Sequence, residues 1–202
     1  MRALRPERPK LFGNDRPVVV YNPHFDQDVA SWSRMGLEVL DHFLANPAWN
    51  LIFAPHVVLF RRHRRHGAVL PKRYRKAPNI LIDTGSERLA DMSYIRAADL
   101  YLGDVSSQVY EFLEEPRPCI FLNAHGVPWQ DNPFYLHWTL GQVVERVEPG
   151  LGEALAAAFA SHPSFLPRQR ELFAYTFHDE PGSTAAERGA EAIARFVAHR
   201  LA

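Results

Sequence analysis

Five short, continuous apolar runs punctuate this chain, and they restrict its fold more than any other feature. They are PVVVYN (17–22), WNLIFAPH (49–56), NILID (79–83), DLYLGD (99–104) and PCIFLN (118–123). Each is rich in β-branched or aromatic residues and bounded by turn formers, the pattern of a strand buried on both faces. GQVVERV (141–147) adds a sixth candidate strand. Helical segments separate the runs. SWSRMGLEVLDHFLAN spaces Trp32, Met35, Leu37, Val39, Leu40, Phe43 and Leu44 near one turn apart, with Ser31 or Ser33 as its start signal. ERLADMSYIRAA and SSQVYEFLEE read as short helices, and the tail as three, in LGEALAAAFAS, SFLPRQRELFAYTF and TAAERGAEAIARFVAHRLA. Strands alternating with helices predict an α/β fold, a Rossmann-like, doubly wound parallel sheet of about six strands. Residues 17–202 read as one domain. The polar, proline-containing residues 1–16 read as a leader or as a linker from a further lobe.

At 202 residues the chain can bury a sizeable core. Its one cysteine, Cys119, lies inside an apolar run and reads as a small buried hydrophobe, so a disulfide framework is excluded. No apolar run approaches the ~20 residues that span a bilayer, and the start lacks a signal peptide's apolar centre. The expected setting is cytoplasmic, with peripheral contact on the inner membrane face. A formal net charge of zero hides an asymmetry, because Arg61 to Lys76 holds eight Lys or Arg and no acid. Arg61, Arg62, Arg64, Arg65, Lys72 and Arg73 are therefore candidates for meeting an anionic acceptor or a membrane surface, against the alternative of a solvated loop. Beyond Tyr74 no aromatic interleaves with this block and no nucleic-acid motif accompanies it, so nucleic acid is not an expected partner.

In doubly wound sheets, ligands bind beyond the carboxyl ends of the strands. The residues that follow the runs are polar or small: Asn22, Pro23 and His24; His56; Asp83 to Ser86; Asp104 to Ser107; Asn123 to His125. In YLGDVSSQVYEF the change from strand to helix falls on Asp104, Ser106 and Ser107. Two readings stand there: the side chains cap the helix that follows, or its free amides and hydroxyls hold a phosphate. His24 is open as base, phosphate ligand or loop residue, and His56 as leaving-group stabiliser or loop cap. Glu111, one turn past Ser107, has the reach for a ribose. Ser86 and Trp129 are weaker nucleotide candidates, Trp129 through stacking on a base; Asp131 and Tyr135 in the same loop stay open. His56, His63 and His66 have no carboxylate or cysteine at ligand spacing, and their arginine neighbours oppose a cation, so no metal is expected, and no cofactor.

The residues from Ile82 to Asn123, IDTGSERLADMSYIRAADLYLGDVSSQVYEFLEEPRPCIFLN, resemble the donor-binding half of CDP-glycerol glycerophosphotransferases, the teichoic-acid and capsule polymerases of GT-B fold. That family carries a similar acid-x-Ser-Ser segment, ahead of a proline and another apolar strand, and an upstream histidine beside a proline, matched here by Pro55 and His56 in reversed order. The carboxy-terminal EPGSTAAERGAEAIARFV is similar to the end of GT-B enzymes, UDP-N-acetylglucosamine 2-epimerases among them. The resemblance implies one GT-B lobe that binds a nucleotide-diphosphate donor, with the pyrophosphate on Ser106, Ser107 and Asp104 and His56 near the leaving phosphate. It implies transfer of a glycerophosphate, or a related polyol-phosphate or sugar, to a cell-surface polymer. Where the family has a threonine after its first strand this chain has His24, within YNPHFD. The alternatives carried forward are a non-catalytic nucleotide-sugar or anion-binding module and a UDP-sugar epimerase-like enzyme.

Overall fold

The structure is a computed structural model that describes residues 8–64, 70–177 and 181–201, with side chains except those of 61–64 and 201. The side chains of Arg61, Arg62 and Arg64, and all of Arg65, therefore lie outside the described residues. Six strands form one parallel sheet: β1 (Val18–Asn22), β2 (Asn50–Phe53), β3 (Ile80–Ile82), β4 (Leu100–Gly103), β5 (Cys119–Leu122) and β6 (Gln142–Val144), in the order β3-β2-β1-β4-β5-β6. This is the doubly wound Rossmann order, with its reversal between β1 and β4.

The strands are apolar throughout because both faces are covered, and successive side chains go to opposite sides. Val19, Tyr21, Leu51, Phe53, Leu100, Leu102, Ile120 and Leu122 enter one core, while Val20, Ile52, Tyr101, Cys119 and Phe121 enter the other. Helix α1 (Trp32–Ala45) covers the first face with Met35, Val39, Leu40 and Phe43, spaced as one helical stripe. The second face carries the short α4 (Ser93–Ala97) and α5 (Gln108–Phe112), which follow α2 (Val57–Arg64) and α3 (Lys72–Arg75) in the chain. Arg117 ties α4 and α5 together by donating to carbonyls near their ends, among them Phe112 at 3.0 Å and Ala98. Cys119 is buried as expected of a small hydrophobe, and burial pushes its thiol far above the usual range, which leaves it inert.

Three segments add to the sequence reading. First, the two helical runs on either side of residue 163 form one helix, α6 (Gly150–Thr176), which continues through Pro163 and Pro167. It starts on the first core with Leu151, Ala154 and Ala158 and ends on the second with Leu172, so it wraps past the edge strand β6. The fully buried Gln169 fixes this crossing by donating to Leu140 O (2.8 Å) and Arg117 O (3.0 Å). Second, the loop around Trp129 leads into a 3₁₀ segment, Pro133–Leu140, opened by Asn132, whose side chain accepts from Phe134 N at 3.0 Å. Third, the described part of the expected leader lies against the fold: Leu11 and Phe12 pack on the second core and Arg8 pairs with Asp99 at 2.9 Å. The closing helix α7 (Ala185–Leu201) is exposed over most of its described length, including Ile193, Phe196 and Val197, with Arg188 half-buried.

Candidate functional site

The polar residues that follow the strands gather on one sheet edge, as their place in the chain predicts. At its centre is Asp104, fully buried where β4 meets β1 at the reversal of strand order. One carboxylate oxygen accepts from His24 N (2.9 Å) and Val105 N (2.7 Å); the other accepts from Ser31 N (2.6 Å) and Ser31 Oγ (2.8 Å). Because the Ser31 hydroxyl gives its proton to Asp104, Tyr21 donates to Ser31 Oγ, at 2.8 Å. The Asp104 carbonyl in turn accepts from His137 Nε2 and Trp138 Nε1, each at 2.8 Å. Asp104 is thus saturated by protein donors: it joins the loop after β1, the end of β4 and the 3₁₀ segment, and leaves no free oxygen for a ligand. The sequence reading groups Asp104 with the serines at a pyrophosphate; in the structure its two carboxylate oxygens are held by these four protein donors.

The two serines differ in their capping role. Ser106 is buried and its hydroxyl accepts from Gln108 N at 3.4 Å, a cap on α5. Ser107 is exposed at the first position of the same turn and makes no side-chain cap bond.

His24 and His56 sit side by side beyond β1 and β2, with ring centroids 5.8 Å apart. Phe25 packs against both, at 4.3 and 4.6 Å. Burial, and then the proximity of His24, lower the pKa of His56, so its imidazole is neutral at pH 7. Ser86 lies over the end of β3, where its hydroxyl and amide, the Gly85 amide (3.0 Å) and the Tyr94 hydroxyl (2.7 Å) all donate to Asp83. Burial favours protonation of Asp83, but these hydrogen bonds outweigh it and hold the carboxyl below the usual range.

Glu111 faces away from this edge into a cavity of about 860 Å³ between α4, α5, the end of α6 and the start of α7. Met92, Ile95, Phe173 and Phe177 give the cavity apolar walls, and Arg96 adds a charge. Glu111 Oε2 is buried with no hydrogen-bond partner, and burial raises the carboxyl's pKa. Trp129 is half-buried against the second core, 6.1 Å from Trp138, so it braces the 3₁₀ segment. Tyr135 stacks on the same ring at 4.6 Å, and Asp131 occupies a left-handed turn with φ of 59°.

Of the basic block, the described side chains lie at 70–76, ahead of β3. Arg73 spends its guanidinium on both oxygens of Asp41 in α1 (3.0 and 3.1 Å), and Tyr74 beneath it is buried. Lys72 is exposed. Ser31, Tyr21, His137 and Trp138 escaped the sequence reading as parts of the edge. Ser31 was visible only as a helix start, and nothing local marks the other three: Tyr21 acts through Ser31, 10 residues on, and His137 and Trp138 through Asp104, 33 and 34 residues back. Among the described residues no group of three or more His, Cys, Asp or Glu is arranged to hold a metal, and no helix is long and apolar enough to cross a membrane.

No protein-family profile matches the chain, and no curated protein matches it in sequence. Solved structures do match in fold. The wall teichoic acid polymerase TagF, in an H444N variant, aligns with a TM-score of 0.60 at 15% identity, over 95% of this chain and 46% of TagF. The same variant after a 15-minute soak with CDPG aligns at 0.56 and 14% identity, over 95% and 46% of the two chains. The glycotransferase of kitacinnamycin aligns at 0.52 and 15% identity, over 86% and 42%. The fold is therefore that of one Rossmann-like lobe of GT-B type, and the chain spans a little under half the length of the polymerase it matches.

Proposed function

We propose that this domain binds the nucleotide-diphosphate donor of a GT-B transferase, a CDP-activated glycerol or related polyol. The group moved would be a polyol phosphate, and the acceptor an anionic cell-surface polymer. The observation that carries the reading is the unpartnered acceptor of Glu111. A buried carboxylate oxygen without a donor is costly, and a ribose diol supplies two hydroxyl donors. The cavity volume of about 860 Å³ is ample for a nucleoside, with Met92, Ile95, Phe173 and Phe177 as apolar wall and Arg96, Glu114, Thr176 and Thr184 among its polar groups.

In the transfer this implies, the acceptor hydroxyl attacks the glycerol-bearing phosphorus, the bridging P–O bond breaks, CMP leaves and the hydroxyl proton passes to a base. This domain would hold the leaving phosphates through Ser107 and His56, and Ser106 would keep α5 aligned. The likeness to the polymerase covers 46% of that chain, which supports a reading in which the acceptor side would be supplied by a partner lobe. Lys72, Arg75 and Lys76 are described members of the basic block exposed to an anionic acceptor or membrane.

Calorimetry with CDP-glycerol, CDP-ribitol, CDP and UDP-N-acetylglucosamine tests the reading. The expected result is preference for the CDP ligands, with Glu111→Gln binding about tenfold more weakly. Preference for the UDP ligand would move the domain to epimerase-like chemistry. Affinity unchanged in Glu111→Gln would take the cavity out of the donor site.

A further inference from the structure

The turns that follow β1 and β2 are copies of one another. Both begin Pro-His, as Pro23-His24 and Pro55-His56, and they are in register because Tyr21 pairs with Phe53 and His56 N donates to Pro23 O at 3.0 Å. Each histidine then does the same thing: its Nδ1 accepts the amide two residues on, Asp26 N for His24 and Val58 N for His56, both at 3.2 Å. An Nδ1 that accepts has no proton, so each neutral ring carries its proton on Nε2. A second proton would have to enter at Nδ1 and displace that amide. With the rings 5.8 Å apart on the strand-end edge, two Nε2–H groups are available side by side.

We propose that His24 and His56 work as a matched pair of neutral Nε2–H donors that close on one phosphate of the donor's pyrophosphate, and that neither ring becomes an imidazolium when the ligand binds. This rests on the nucleotide-donor reading above and makes His24 a phosphate-positioning residue rather than a base. The charged groups around the pair are otherwise engaged. Asp104 accepts from His24 N and Ser31, Asp26 accepts from Asp28 N at 3.1 Å, and Asp83 is satisfied by Ser86, Gly85 and Tyr94. His125, on the β5 side, bonds through Nε2 to Ala30 O at 3.1 Å. The side chains of Arg61, Arg62, His63 and Arg64 in α2 are outside the described residues. The lowered pKa of His56, caused first by burial and then by His24, agrees with a neutral His56 ring.

The test is nitrogen-15 NMR of the histidine rings during titration with CDP-glycerol, whose pyrophosphate diester does not change charge between pH 6 and 8. The expected result has both rings protonated at Nε2 alone before and after binding, both Nε2 signals shifting, and affinity changing less than about threefold over that pH range. His24→Asn and His56→Asn retain an acceptor for the i+2 amide but lose the reach, and each should bind about tenfold more weakly. A ring that becomes doubly protonated in the complex, or affinity that rises more than threefold on acidification, would overturn the pair. CDP-glycerol binding that moves neither ring would also overturn it and leave the nucleotide reading standing. If CDP-glycerol does not bind, that reading fails, and inorganic pyrophosphate decides the pair alone: both rings shifting sustains it, and neither shifting ends it.

Discussion

The end of β4 and the ends of β1 and β2 lie on one sheet edge and draw on the same stock of polar residues, yet they use them in opposite ways. At β4 the strongest acceptor, Asp104, is fully buried and saturated by His24 N, Val105 N and both donors of Ser31. At β1 and β2 the two histidines satisfy only their inner nitrogens and keep the outer ones directed away from the backbone they cap. A polar cluster at a strand end is thus two things at once, a frame that spends its hydrogen bonds inward and a face that does not. Position in the chain locates the cluster; only the hydrogen-bond inventory separates frame from face.

Removing a frame residue should be felt first in stability. Asp104→Ala leaves the amides of His24, Ser31 and Val105 without their acceptor in a buried site, and at ~1–3 kcal/mol for each unsatisfied group the expected loss is about 3 kcal/mol or more. Urea unfolding measures it. A loss below 1 kcal/mol would show that water replaces the carboxylate and that Asp104 belongs with the face. The serines cut the comparison finer, since one residue of the pair is frame and the other face. Ser106→Ala with Ser107→Ala should weaken CDP-glycerol binding by at least tenfold. Ser107→Ala alone should keep most of that effect with the unfolding midpoint unchanged, whereas Ser106→Ala alone should cost ~1 kcal/mol of stability through the lost cap. If the binding loss follows Ser106 and not Ser107, the assignment of cap and ligand is reversed.

The fold was legible because its signal is repeated and local: each strand is an apolar run, and each run needs both faces covered. The site was legible only as a location. Asp104 stood out in DVSS, but its partners Ser31 and His137 are 73 and 33 residues away, and no spacing rule connects a loop on β1 to a 3₁₀ segment after β5. The twin Pro-His turns were both present in the sequence and went unpaired there, because their kinship depends on β1 and β2 being in parallel register. Residues 163 and 167 misled in the other direction. Prolines end most helices, but α6 is held across them by Gln169, whose side chain bonds to carbonyls of the sheet edge.

Glu111 sharpens the contrast from a third position, a buried acceptor that the protein leaves without a donor. Burial raises its pKa, so as pH rises through the ordinary carboxylate range the unfolded chain releases this proton before the folded one, and the folded state loses stability. Glu111→Gln cannot titrate, so at neutral pH it should leave stability unchanged or raise it while donor affinity falls. Loss of stability together with affinity would mean that the carboxylate supports the fold and is no ligand.

The smallest effect concerns His137, a frame residue whose Nε2 donates to the Asp104 carbonyl. Burial opposes its charged form more than the Asp104 carbonyl and charge favour it, so its pKa lies below the ordinary 6.5. As pH falls through 6.5 the unfolded chain takes up this proton before the folded one does. Stability present above that pH is therefore lost on acidification, with a slope of at most ~1.4 kcal/mol per pH unit for one proton. His56 contributes with the same sign, but it is half-exposed, and solvent relieves much of its share. His137→Gln retains a side-chain N–H donor and cannot titrate, so between pH 6.5 and 5.5 its urea midpoint should fall less steeply than that of the wild type. His56→Asn should change that slope by a smaller amount. If the order is reversed, the proton that destabilises the fold enters at the open face, and the neutral pair beside β1 and β2 is the weaker part of the edge.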